Sequence, residues 1–176
     1  MPRTSPAAQR PEDVPAEADT PISGELDLAL RVFIALVIGL VLGLDRELRG
    51  YSAGLRTMAL VTAGAALFAG IGFMPVFGKS VDPTRIAAQI VTGIGFLGAG
   101  SILRQGDEIK GLTTAASIWI AAAIGMAVGF GLYTTAVIAA VLVVITLVLL
   151  RWVEIRFFPI KRNRRHDDPK TEPLAP

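Results

Sequence analysis

Residues 45–56, DRELRGYSAGLR, place Asp45, Arg46, Glu47, Arg49 and Arg56 within twelve positions. Two carboxylates offer oxygen ligands to a hard cation, and magnesium is commonly held by one or two acids plus water. The arginines offer planar, bidentate donors for carboxylate or phosphate. The spacing restrains the first chemistry: side chains at i and i+2 of a helix point about 200° apart, so Asp45 and Glu47 share one ion only if the chain leaves the helix at Asp45 or a second subunit contributes. Hydrolytic chemistry has no candidates. Cysteine is absent and the only histidine is His166 in the charged tail, which removes disulfides, Cys/His zinc sites and any Ser/His or Cys/His pair from the core. The expectation is a protein that is not an enzyme and carries no cofactor.

The elements that must position these charges are apolar. Of 176 residues, 52% are hydrophobic and 18% charged, with a mean hydropathy of +0.57, the composition of an integral membrane protein. Five apolar segments stand out, at about 26–44, 57–76, 86–103, 112–128 and 132–150. At ~1.5 Å per residue each spans about 25 to 30 Å, matching a ~30 Å hydrocarbon core. Their lack of alternation excludes the ~10-residue strands of membrane barrels. The predicted fold is therefore all-α: a bundle of about five transmembrane helices over residues 26–158. A Pro- and acid-rich arm over 1–25 reads as disordered and lacks the basic-then-apolar pattern of a signal peptide. A basic tail over 159–176 contains KRNRR, where each basic residue contributes about 1 kcal/mol to binding anionic headgroups.

Five spans put the termini on opposite sides. Of the 17 Lys and Arg residues, 12 fall on the side of the 45–56 connection and the C-terminal tail, and 5 on the other. The positive-inside rule then predicts the N-terminus outside and the C-terminus cytoplasmic, with Trp152, Phe157 and Phe158 as a cytoplasmic interfacial anchor. The uncharged run 32–44 is only about 20 Å long, so the first span takes in residues 26–31, with Arg31 snorkelling, and residues 45–56 become a cytoplasmic connection.

Two nucleotide-like strings fail on context. GIGFLG, residues 93–98, fits G-x-G-x-x-G by letter but lies within an apolar span, without a preceding strand or an acid about 20 residues on. GFMPVFGKS, residues 72–80, has five residues between its glycines where a P-loop has four, and Phe73 stands where glycine belongs. The glycines read better as close-packing surfaces: Gly93, Gly95, Gly98 and Gly100 on the third segment, Gly39-x-x-x-Gly43 on the first and Gly125-x-x-x-Gly129 on the fourth. Each costs about 1 kcal/mol relative to alanine in a helix in water.

Orientation brings polar groups from four helix ends to one depth: Asp45, Arg46 and Glu47 from the first, Arg56 and Thr57 from the second, Ser101 and Arg104 from the third, and Thr113, Thr114 and Ser117 from the fourth. Within one bundle they form a polar cavity facing the cytoplasm, with Gly50 and Gly54 turning the chain so that Asp45 approaches Arg56. The plainer alternative is a set of separate solvated charges, with the hydroxyls bonded to carbonyls one turn back. At the opposite face, Asp82, Arg85 and Gln89 begin a polar stripe on the third helix.

GLDRELRGYSAGLRTMALVTAGAALF, DPTRIAAQIVTGIGFLGAGSIL and GLTTAASIWIAAAIGMAVGFGLY together resemble the MgtC/SapB family of bacterial inner-membrane proteins, over about residues 28–150. On these motifs the resemblance implicates Asp45, Arg46, Glu47, Gly50, Gly54, Leu55, Arg56, Thr57, Asp82, Arg85, Gln89, the glycines of 93–100, Gly111, Thr113, Thr114 and Trp119. Asp45 departs from the pattern, which more often has glutamate there. The family's namesake carries a soluble C-terminal domain, where this sequence has its basic tail. The resemblance implies a multi-pass protein of the bacterial cytoplasmic membrane serving adaptation to low magnesium and, in pathogens, survival inside host cells. It implies a regulator that binds other membrane proteins, such as an ATP synthase or ion pump, and leaves open self-association. Two expectations follow: a non-catalytic regulator, and as its competitor a transporter of magnesium or another cation using Asp45 and Glu47. No acid lies mid-span, where a translocation route favours one. An enzyme acting on lipid or phosphate lacks a nucleophile and base.

Overall fold

The computed structural model describes residues 21–74, 82–106 and 108–157. It is helical throughout apart from one short hairpin: α1 (Pro21–Leu48), α2 (Leu55–Ile71), α3 (Pro83–Gly100), β1 (Leu103–Gln105), β2 (Glu108–Lys110), α4 (Leu112–Gly129) and α5 (Tyr133–Phe157). Three of these are long and apolar enough to cross a membrane: α1 from Gly24, α4 and α5. At 17 residues α2 is apolar but shorter, about 26 Å of helix.

The core lies between α1, α2 and α4. A stripe on α1, Ala35, Gly39, Leu42, Gly43 and Arg46, is buried at helical spacing. It faces Met58, Thr62 and Ala66 of α2, and α4 closes the third side with Ile118, Ala121, Ile124 and Val128. Small residues make this approach close. A Cβ on Gly39 would lie 2.7 Å from the Ala59 Cα, one on Gly43 2.7 Å from the Leu55 Cα, and one on Gly125 2.9 Å from the Thr62 Cα, separations that only glycine permits. Gly129 is equally tight against Ala69. Without water to drive helices together in lipid, this backbone-level packing supplies the dispersion contacts that hold them.

The third helix departs from expectation. Only Gly98 of its four glycines meets a neighbour, Ala115 at 3.7 Å, while Gly93, Gly95 and Gly100 have no atom within 4 Å of where a Cβ would stand. Packing among the described residues therefore does not account for those three. The reason is that α3 rests on α4 along one edge, burying Ile90 and Gly98 alone, and stands away from α2. α5 is likewise peripheral, burying only Ala136.

Other boundaries also move. The helix α1 starts at Pro21, a residue favoured in the first helical turn because it lacks an N–H to satisfy, so residues 21–25 of the expected arm are helical; residues 1–20 lie outside the described set. At its other end α1 runs past Leu44 to Leu48. The second segment ends as a helix at Ile71, and residues 75–81 are outside the described set, as are Phe158 and the basic tail. Between α3 and α4 the chain forms an antiparallel hairpin, Leu103 opposite Lys110 and Arg104 opposite Ile109. Its base is closed by Gly111 at φ 93°, where a Cβ would collide with the Ser101 carbonyl.

Candidate functional site: an arginine inside the bundle

Extension of α1 by one turn decides which charge faces inward. Arg46 continues the buried stripe through Leu42 and Gly43, at 1% exposure, and Asp45 and Glu47 fall to either side at about 100° per residue. The guanidinium is satisfied on three sides by two elements, the 49–54 turn and α4. Nε donates to the Ala53 carbonyl at 2.8 Å, one terminal nitrogen to Ser117 Oγ at 3.0 Å and the other to Thr114 Oγ1 at 2.7 Å. Ser117 Oγ in turn donates to the Thr113 carbonyl at 2.7 Å.

No carboxylate contacts this buried cation among the described residues. Its charge is instead met by weaker negative potentials. The Tyr51 ring lies 4.6 Å from the guanidinium carbon, within cation–π range, and Arg46 is the basic residue of the last turn of α1, where the helix dipole is negative. Arg151, near the end of α5 and a hundred positions from Tyr51 in sequence, donates to the Tyr51 hydroxyl at 2.8 Å, so Tyr51 stands between two arginines. Arg46 thus ties together α1, the 49–54 turn and α4, and Tyr51 extends the tie to α5.

The flanking acids have other partners. Asp45 accepts from Arg49 Nε at 2.6 Å, an exposed i, i+4 pair. Glu47 accepts from the Leu55 amide at 3.0 Å and so caps the start of α2, whose N-cap residue, Gly54, has no side chain to do it. This corrects the expected approach of Asp45 to Arg56: Gly54 brings the chain against Glu47, close enough that a Cβ there would strike the Glu47 carboxylate. Arg56 is exposed and Thr57 half-buried. Ser101 bonds the Gly98 carbonyl at 2.7 Å, and Arg104 bonds the Gly106 carbonyl at 3.1 Å in the exposed hairpin. From the ten expected members the structure therefore gathers Arg46, Thr114 and Ser117 into one buried network, to which the exposed Thr113 lends only its backbone carbonyl. Asp45 and Glu47 stand at its edge without converging, and Arg56, Thr57, Ser101 and Arg104 stay apart. Among the described residues no group of three potential metal ligands converges.

Tyr51 and Arg151 were not legible as members. The one usable signal for the inward arginine was the continuation of the 35, 39, 42, 43 stripe to position 46.

At the other end of the bundle, Arg31 repeats the arrangement with a counter-ion. Its guanidinium donates to the Gly129 carbonyl at 2.9 Å and to Asp27 at 2.7 Å, which satisfies the last turn of α4 in a favourable dipole geometry. Arg31 and Arg46 thus hold α4 to α1 at both ends. Beyond it Asp82 caps α3, its Oδ1 accepting from the Thr84 amide at 2.9 Å and hydroxyl at 2.7 Å. Those two donors, helped by nearby Arg85, hold the carboxyl below the usual range.

A bundle of apolar helices whose inward polar groups are spent on each other, with two helices largely uncovered, defines a helical membrane protein. The comparisons with known proteins make this particular. The MgtC family model matches residues 32–156, and the chain belongs to that family. It is 43% identical over 127 residues to an Escherichia coli K12 protein named "Putative magnesium transporter YhiD", covering 69% of this chain and 59% of that one. It is 45% identical over 123 residues to Protein MgtC of Salmonella typhimurium, covering 69% and 52%. Protein MgtC of Brucella abortus is 45% identical over 117 residues, covering 66% and 48%. The chain thus spans about half the length of the curated relatives it matches. No solved structure gives a significant match.

Proposed function

We propose that the protein is a non-catalytic regulator of the bacterial inner membrane, crossing it five times with the N-terminus outside, and that it serves magnesium adaptation by binding other membrane proteins. The observation that carries this reading is the buried joint at the polar end, where the inward group is a fully bonded arginine and the two acids stay at the edge. Asp45 is engaged by Arg49, Glu47 by the Leu55 amide and Arg46 by three acceptors, which suits a rigid joint better than an ion path. The free surface lies elsewhere. On α3 Phe96 is 82% exposed, and α5 presents Val137, Val141, Leu149 and Ile155 outward, apolar faces suited to other membrane helices. By family resemblance an ATP synthase or ion pump is the expected class of partner.

A second reading, transport of magnesium or another cation, draws on the printed name of the Escherichia coli relative. Liposomes containing only this chain and a trapped magnesium indicator separate the two. The regulator reading expects uptake equal to protein-free vesicles. Uptake that disappears in Asp45→Asn and Glu47→Gln would establish the transporter instead. Because the chain has no cysteine, single cysteines test the topology cleanly. Arg104→Cys should be labelled only from the cytoplasm and Asp82→Cys only from outside; the reverse pattern would invert the orientation.

A further inference from the structure

Between α2 and α3 lies an open groove of about 900 Å³, large enough for a substantial ligand. The gap exists because both helices pack on α4 while scarcely touching each other. Along its α3 wall run Arg85, Gln89, Gly93 and Leu97, spaced i, i+4, i+8 and i+12, one below another down the helix at ~6 Å per step. Asp82 stands at the mouth, one turn above Arg85. The α2 wall is apolar, with Val61, Ala65 and Phe68.

The order of chemistry along that wall is graded. First comes an exposed carboxylate, then a guanidinium, then an amide, then a glycine and only apolar groups. Asp82 commits Oδ1 to Thr84, leaving Oδ2 for another donor. Arg85 makes no ion pair and no side-chain hydrogen bond among the described residues, although it is exposed at the first turn of α3. Deeper in, Gly64 and Gly93 line opposite walls, and neither has an atom within 4 Å of where a Cβ would stand, so the groove is hollow where its walls are apolar.

We propose that this groove binds one ethanolamine phospholipid, its ammonium on Asp82, its phosphate on Arg85, its ester region beside Gln89 and an acyl chain lying past Gly93. Charge order and N–H donors together decide the occupant: a choline head carries the same charges but has no N–H to donate to the Asp82 carboxylate. An ethanolamine head presents a cation outermost and an anion one step deeper, complementary to Asp82 and Arg85 in that order, and arginine is the side chain best matched to phosphate. A glycerol head would satisfy Arg85 but bring no cation to Asp82. A transmembrane helix, whether from a second copy or a partner, does not by its nature set a cation outside an anion at the spacing of Asp82 and Arg85. The site stands whether the protein regulates or transports.

Native mass spectrometry of the full chain, released from detergent after exchange against equal phosphatidylethanolamine, phosphatidylglycerol and phosphatidylcholine of identical acyl chains, tests the proposal. One bound phosphatidylethanolamine is expected, retained about tenfold over the other two, the selectivity of roughly one charge-assisted hydrogen bond. Arg85→Ala should lose retention of all three lipids. Asp82→Asn should keep lipid but lose the preference for the ethanolamine head, and Gly93→Leu should exclude lipid by filling the groove. Arg104→Ala, in the hairpin, should behave as wild type. Equal retention of the three lipids by the wild type would overturn the proposal, as would unchanged retention in Gly93→Leu or a lipid-free dimer. The wild-type preference decides the matter even where a variant fails to fold.

Discussion

Replacing Arg46 by lysine keeps the charge and most of the length but removes the fork. A guanidinium reaches Ala53, Thr114 and Ser117 at once because its three nitrogens point in three fixed directions. An ammonium is one compact centre and reaches one such acceptor well. Two hydrogen bonds are lost. Interhelical bonds between neutral groups in a bilayer are worth about 0.6 kcal/mol each by double-mutant cycles, and an ionised donor roughly doubles that, so the loss is about 2.5 kcal/mol. That corresponds to nearly two orders of magnitude in the folding equilibrium. The cation–π contact with Tyr51 survives in weaker form and offsets little. The assay is unfolding by titrated SDS in mixed micelles, followed by the fluorescence of Trp119 and Trp152 on α4 and α5, with linear extrapolation to the native micelle. Combining Arg46→Lys with Thr114→Val should cost about 1 kcal/mol less than the separate effects added together, because both remove the same bond. Lysine within about 0.5 kcal/mol of wild type, with no coupling to Thr114, would refute the structural role and make Arg46 a residue held for function alone.

Two further outcomes follow from the packing and the cap. Gly39→Val places a branched side chain against the Ala59 backbone and should destabilise by about 3 kcal/mol or abolish folding, whereas Gly95→Ala, into open space, should be neutral or stabilising by up to ~1 kcal/mol; SDS titration of both distinguishes this from uniform sensitivity of the glycines. The Asp82 carboxyl has a lowered pKa in the folded protein, so its capping contribution is complete above the unfolded value and is lost as pH falls through the folded one. The exchange protection factor of the Thr84 amide should therefore stay constant from pH 8 to about pH 5 and collapse only below the ordinary carboxylate range of about 4; a fall already at pH 6 would contradict the bond to Asp82.

How far the sequence reaches is set by which physical signals are local. Helices α4 and α5 were legible because an uninterrupted apolar run of bilayer length is a one-dimensional property. The glycines at 39, 43, 125 and 129 were legible as contact surfaces for the same reason, being small residues one turn apart on apolar helices. Those at 93, 95 and 100 carry the same letters and meet nothing among the described residues. What separates the two groups is where α3 sits relative to α2, which depends on how both pack on α4 and leaves no trace in local composition.

The polar end shows the same limit at the scale of a single turn. Asp45, Arg46 and Glu47 are adjacent letters, and their roles differ because helix rotation sends each about 100° from the next. Ending the helix at Leu44 makes all three loop charges and invites the two acids to converge. Ending it at Leu48 sends Arg46 inward, Asp45 to Arg49 and Glu47 to the start of α2. Burial of an arginine looks unfavourable from sequence because the desolvation cost is certain and the acceptors are unknown. Here the acceptors lie 7, 68 and 71 positions away, and the aromatic face that meets the charge belongs to a turn residue with no pattern of its own. The inward arginine therefore becomes favourable only once α4 is in place, so the joint reports that α1, α2 and α4 have assembled in the correct register.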